Sequence, residues 1–232
     1  MINDTASDAY DVISTYVESI RKFDMNVTIG EDFEYYTGIT DEIPGKYPTY
    51  PHFRPGCSEL LCGKAFWIIG RDQEDRIAHV QAMRLYDLST KSLREHLETL
   101  ADYFADPDLN AGPGSSCICY APSASKIAGL VAYRGDLWLR EDFRGLGLLP
   151  FLSRIAFGLA WAKWSPDFVY ALVAAWNIEK HVTDRNGYLH KERGVVARLP
   201  ARGIDDDDWL VWLTREDLVR MFSSDSNAAV TM

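Results

Sequence analysis

The sequence predicts an α/β fold in which one central sheet is covered by helices. Residues 168–176 are apolar on both alternating faces, as a strand is when helices cover both sides of its sheet. Apolar stripes at helical spacing over residues 8–23 and after Gly147 alternate along the chain with short β-prone runs. A chain of 232 residues that is 47% hydrophobic can build one sizeable core, so residues 1–222 are expected to form a single domain. Residues 223–232 are expected to be a disordered tail.

Each element has its own local reason. Ile13, Tyr16, Val17 and Ile20 share one stripe of an amphipathic helix over 8–23. Over 28–63, Pro44, Pro48, Pro51 and Pro55 interrupt a series of aromatics from Phe33 to Phe53, which reads as a long ordered loop able to cover a substrate. Residues 65–69, the charged turn 70–75 and residues 76–85 read as a hairpin. Ser92 and Glu95 form a capping box, and Leu93, Leu97, Leu100 and Phe104 supply the stripe of a helix ending before Pro107. Residues 106–125, rich in Gly, Pro, Ser and Asp, read as loop. The strand over 127–139 is interrupted at Gly135-Asp136, where a glycine suggests a bulge or a close backbone approach. Pro150 fits a helix only in its first turn, so the helix carrying Leu148, Leu152, Ile155 and Leu159 starts just after Gly147. Asn177 ends the buried strand. A short helix over 179–185, strands over 194–199 and 209–213 and a last helical turn over 216–222 complete the chain.

Composition removes several classes of function. With 24 Lys+Arg against 34 Asp+Glu, a net charge of −10 argues against a nucleic-acid partner. The longest apolar run, 168–176, is about half of the roughly 20 residues a spanning helix needs, so no membrane partner is expected. The start, MINDTASDAYD, has neither a basic head nor an apolar run, which makes the cytoplasm the expected compartment. Cys57, Cys62, Cys117 and Cys119 lie in C-x4-C and C-x-C patterns that match no common zinc or redox spacing. A set of Cys57, Cys62 and His52 can be drawn, but reduced, half-buried thiols are the reading, and no metal is assigned.

Residues 137–149, LWLREDFRGLGLL, place a strand, a tight glycine turn and a helix start in succession. The first amides of a helix lack internal partners and carry the positive end of its dipole. Gly145 and Gly147 let a ligand approach that backbone, and Arg144 adds a full charge, so a diphosphate is a natural guest. G-x-G alone fits a purely structural turn equally well. Two nucleotide motifs fail: no Lys-Ser/Thr follows the glycines, and Pro150 stands where a dinucleotide fingerprint needs a small residue.

The segment resembles the acyl-CoA signature of the GNAT acyltransferase superfamily, Arg/Gln-x-x-Gly-x-Gly/Ala, through Arg144, Gly147 and Leu149, with a further glycine at Gly145. Leu149 stands where the family has a small residue. Asn177 after the buried strand, then Gly187-Tyr188, resembles the second half of the family's cofactor site. The resemblance implies a central mixed, mostly antiparallel sheet flanked by helices, with its core at about 64–214 and extra N-terminal and mid-chain segments. It implies strands over 130–139 and 168–176 that splay to admit a pantetheine arm. Main-chain groups of Leu137 and Leu139, beside Trp138, would pair with that arm, and Asn177 would contact its far side. Amides of Gly145, Leu146, Gly147, Leu148 and Leu149 would hold the diphosphate.

The activity implied is acyl-CoA-dependent N-acyl transfer, with acetyl-CoA the commonest family donor and direct attack by an amine in a ternary complex. The acceptor would be a small-molecule or protein amine, and a homodimer fits the family. Two alternatives stand beside it. One is a non-catalytic acyl-CoA-binding or regulatory module; the other uses longer acyl-CoA or acyl-carrier-protein donors, with Trp138 lining a wider tunnel.

Asp136, beside the expected bulge, is the first candidate for general base, with His181 and His79 as titratable alternatives. The family's tyrosine acid falls at Thr183, so that acid is missing. Residues 205–208, four aspartates in a row, suit a cationic acceptor or a solvated turn. The segments 35–53 and 88–125 are expected to enclose the acceptor in a partly closed pocket.

Overall fold

Helix α1 (Ile2–Arg21) opens the chain, and the computed structural model describes residues 2–229. There follow β1 (Asn26–Gly30), α2 (Phe33–Thr40), β2 (Ala65–Arg71), β3 (Ile77–Leu88), α3 (Leu93–Glu98), α4 (Pro107–Asn110), β4 (Ser116–Cys119) and β5 (Gly129–Leu139). The second half is α5 (Leu149–Trp164), β6 (Phe168–Ala174), α6 (Ala175–Glu179), α7 (Val182–Arg185), β7 (His190–Leu199), β8 (Ile204–Thr214) and α8 (Arg215–Ala229). Eight strands form one sheet in the order β1-β2-β3-β5-β6-β8-β7-β4. Every neighbouring pair is antiparallel except β5 and β6. The sheet is thus mixed and mostly antiparallel, with helices on its faces, as the resemblance implied.

The two faces are covered differently. On one, Val12, Ile13 and Ile20 of α1, Leu152, Ile155 and Phe157 of α5 and Leu218 of α8 pack on Ile68, Met83, Ala132, Val169 and Val211. On the other, the short helices α2 and α3 and the irregular chain around them do the covering. Phe33, Tyr36 and Phe53, then Leu93, Leu97, Phe104 and Ile127, pack on Trp67, Val80, Tyr133, Tyr170 and Leu210. Each such side chain taken fully out of water contributes roughly 1.5–3 kcal/mol before entropy is counted. Among the described residues, no helix is long and apolar enough to cross a membrane.

Several boundaries differ from expectation. The loop expected over 28–63 contains β1 and α2: Asp32 caps α2 by accepting from the Tyr35 amide, and the prolines fall after the helix has ended. The capping box of Ser92 and Glu95 is present, but α3 stops at Glu98 because Leu100 takes a left-handed φ of 60°. Residues 116–119, read as loop, pair antiparallel with β7 as an edge strand. β6 ends at Ala174, so Trp176 lies exposed in α6 and Asn177 is helical. The expected last strand begins earlier, at Ile204, and takes in the aspartate run. Residues 223–229, expected to be tail, continue α8, while 230–232 lie outside the described residues.

Candidate active site

The only parallel pair in the sheet comes apart partway along. β5 and β6 are in register at Val131 with Phe168, Ala132 with Val169 and Tyr133 with Tyr170, and no further. Beyond that point β5 stays on β3 as far as Leu139 opposite His79, and β6 stays on β8 as far as Ala174 opposite Asp208. A bulge produces the divergence. Ala82 faces Gly135 while Val80 faces Trp138, which leaves one extra residue on β5, and Asp136 absorbs it with a φ of 54°. The result is a wedge whose walls carry main-chain groups without a strand partner. Arg140 donates its amide to the Ala78 carbonyl across β3, so by the alternation of an antiparallel ladder the Leu139 amide faces away from β3, toward the wedge.

The mouth of α5 adjoins this wedge in sequence and in space. A 3-10 turn (Glu141–Phe143) leads from β5, and the buried side chains of Phe143 and Leu148 pin the turn at both ends. Between them Gly145 and Gly147 each have a φ of 78°, and a Cβ at either position would meet nothing within 4 Å. Leu148 caps α5 without any side-chain hydrogen bond. Among the described residues nothing accepts from the amides of residues 145–149. Leu149, the residue larger than the signature expects, packs into the helical-face core and leaves those amides uncovered. Leu146 is exposed, and Arg144 turns back so that its Nε donates to the Leu139 carbonyl at 2.9 Å.

Asp136 lies at the bulge, as expected, but it is fully engaged. Its carboxylate accepts from Lys46 Nζ at 2.6 Å, Tyr36 Oη at 2.7 Å and Thr49 Oγ1 at 2.9 Å, with both ionic side chains about 95% buried. A carboxylate held by a buried ammonium and two hydroxyls anchors the covering segment on β5 and is poorly placed to receive a substrate's proton. His181 is exposed, with Nδ1 2.9 Å from Asp184. His79 is fully buried, and desolvation pushes it down to about 3, aided by the charge of Arg134. Neutral, it donates Nδ1–H to the Trp138 carbonyl at 2.8 Å and holds that end of β5. Asn177 donates to the Ala174 carbonyl at the end of the other wall. Thr183 is buried with its hydroxyl unpartnered, and the Tyr188 ring packs edge-on against Phe157.

Both covering segments reach the wedge. Phe53 and Tyr133 crowd Gly135 so closely that a Cβ there would lie 2.8 Å from Tyr133 Oη and 2.9 Å from Phe53. His52 stacks on Tyr133 and donates to the wholly buried Asp102, which also accepts from Tyr170. Burial alone would raise Asp102, yet His52 and these hydrogen bonds hold it well below the usual carboxylate range. His52 is therefore committed, and no group of three or more metal-ligating side chains exists among the described residues. A separate surface depression of about 670 Å³, lined by residues of α3, α4 and β4 including Glu98, Leu109 and Cys117, lies at the β4 edge of the sheet, away from the wedge.

Sequence reasoning missed the organisation of residues 205–208. Inside β8 these aspartates alternate: Asp205 and Asp207 pair with Arg198 and Arg193, whereas Asp206 accepts from Tyr50 Oη at 2.9 Å. Asp208 has no hydrogen-bond or ion-pair partner among the described residues. Burial, reinforced by Asp206 and Asp207, pushes it up to about 7. A strand-period reading of the run, continued from the apolar residues 209–213, was the available signal.

No family model and no curated protein matches the chain by sequence. Solved structures that resemble it include three of Vibrio cholerae enzymes. Spermidine/spermine N-acetyltransferase SpeG in complex with manganese ions gives a TM-score of 0.47 at 9% identity, over 85% of this chain and 96% of that one. Spermidine N-acetyltransferase in complex with CoA and spermine gives 0.44 at 8%, over 84% and 98%. A dodecameric spermidine N-acetyltransferase gives 0.46 at 8%, over 83% and 95%.

Proposed function

We propose that this protein is an acyl-CoA-dependent N-acyltransferase that moves an acetyl group from acetyl-CoA to a small amine within a ternary complex. One observation carries the reading: a row of uncommitted amides at the mouth of α5 opens directly onto a wedge between β5 and β6. The amides of residues 145–149 take the diphosphate, where each charge-assisted hydrogen bond contributes about 1.5–3 kcal/mol. Arg144 adds charge at the rim. Main-chain groups of Leu137 and Leu139 receive the pantetheine arm as a strand edge receives a peptide, with Asn177 at the opposite wall. Bound there, the thioester supplies an activated acyl carbon. The protein's own contribution is orientation and the exclusion of water by the covering segments. Asp136 and Lys46 secure that cover in this scheme, and His181 has no part in it.

Calorimetric titration with acetyl-CoA tests the proposal, and absence of binding by the parent protein overturns it. Thiol release with a panel of amines then separates an enzyme from a carrier. Binding without amine-dependent release would favour the non-catalytic module, and tighter binding of a long-chain acyl-CoA than of acetyl-CoA would reassign the donor.

A further inference from the structure

We propose that Asp208 accepts the proton of the incoming ammonium group and that the recess it shares with Tyr50 and Tyr133 seats a primary alkylammonium. This rests on the acyltransferase reading and assigns the acceptor half of the same site. Register places Asp208 opposite Ala174, at the last paired position of the β6 wall, where the wedge is open. On β8 it shares a face with Leu210 and Trp212, which belong to the core beneath the irregular cover. Its three neighbouring aspartates each have a hydrogen-bonding or ionic partner, and its side chain alone has none among the described residues. Tyr133 supplies an independent observation. It is 6% exposed, its hydroxyl makes no hydrogen bond among the described residues, and that hydroxyl lies over Gly135 at the point where β5 leaves β6. Neither the Tyr133 hydroxyl nor the Asp208 carboxylate is hydrogen-bonded among the described residues, and Asp208 acts electrostatically on Tyr133, so one polar guest at the fork would engage both.

The groups that feel the charge of Asp208 are Tyr50 on the covering segment, Tyr103 after α3, Tyr133 on β5 and Cys117 on β4, with Asp206 and Asp207 on its own strand. None of these groups is a cation, so none of them neutralises the Asp208 carboxylate, and an ammonium would. Desolvation holds this carboxyl near pH 7, where it can exist ionised yet remain basic enough to take a proton. In the step, the ammonium passes one proton to Asp208, and the freed nitrogen lone pair forms the C–N bond to the acyl carbon. The C–S bond breaks with its electron pair on sulfur, and the second proton leaving nitrogen ends on that thiolate. Asp208 then returns its proton to solvent.

The test uses the full chain, with n-butylamine and 1,4-diaminobutane as probe amines. Asp208→Asn should bind acetyl-CoA within twofold of the parent, yet lose about 100-fold in amine-dependent thiol release and lose the acidic limb of the pH profile near 7. Tyr133→Phe should raise KM for the amine more than it lowers kcat. Carboxyl carbon NMR of aspartate-labelled parent protein gives a readout independent of turnover. One signal, missing from Asp208→Asn, should titrate near pH 7 and move to lower pH when 1,4-diaminobutane is added with CoA present. A signal that ignores the amine, or an Asp208→Asn enzyme with the parental rate and pH profile, overturns the assignment. A parent that binds no acetyl-CoA overturns the acyltransferase reading instead, and the carboxyl titration still decides the role of Asp208.

Discussion

The two carboxylates at the wedge, Asp136 on the β5 wall and Asp208 on the β8 side, are the same residue type in opposite circumstances. Asp136 is saturated by an ammonium and two hydroxyls brought in by α2 and the segment that follows it. Asp208 is half-buried, next to two other aspartates, with no donor to its carboxylate among the described residues. The first is a clasp that holds the cover down, and the second is a group left in an unfavourable state that a cationic guest would relieve. What a carboxylate does here follows from which donors the fold delivers to it.

The comparison breaks most readily at the clasp. Lys46→Met leaves Asp136 buried without its counter-charge and should cost about 3–5 kcal/mol in chemical denaturation; a loss below 1 kcal/mol would show that the clasp is ornamental. Asp208→Asn should act with the opposite sign. Below about pH 4 the Asp208 carboxyl is protonated in folded and unfolded chains alike. Between there and about 7 the unfolded chain releases the proton and the folded one retains it, so stability falls as pH rises through that window. Removing the charge should therefore stabilise the protein at pH 8 by an amount on the order of 4 kcal/mol at most, and by nearly nothing at pH 4.

The helix-mouth end of the wedge, proposed to take the diphosphate, contrasts with both, because main chain builds it. Gly147→Trp forces a bulky residue into a left-handed φ and sets an indole over the amides. Acetyl-CoA affinity should fall by about 100-fold or more, whereas Gly203→Trp, equally left-handed but in the turn before β8, should bind normally. The smallest effect concerns His79 under the end of β5. It stays neutral in the folded state down to about 3, while the unfolded chain takes up a proton below about 6.5. Stability should drop by about 2 kcal/mol between pH 7 and pH 5, and His79→Gln should flatten that slope, the reverse of the slope that Asp208→Asn removes.

How much of this was readable in advance depends on how the parts are spaced along the chain. The helix mouth occupies residues 143–149, so its glycines, its proline and its charged neighbour announced it together. The bulge was signalled by Gly135, although the reason for that glycine, the crowding by Tyr133 and Phe53, was not visible. Helix α2 was hidden by prolines that in fact follow it. The seat proposed for the amine was unreadable because Tyr50, Tyr133 and Asp208 come from separate segments joined only by folding. The aspartate run misled for a related reason: charge density resembles a solvated turn until pairing with β6 and β7 fixes which side chains face inward.

Local chemistry settled in advance the α/β class, the buried strand at the centre of the sheet and the glycine turn that opens α5, because each depends on contiguous residues obeying period or φ rules. Folding alone determined that Asp136 would be bound and Asp208 left unpaired. A carboxylate's partners are set by which distant donors reach it, and that is a property of how the chain packs, absent from the order of its residues.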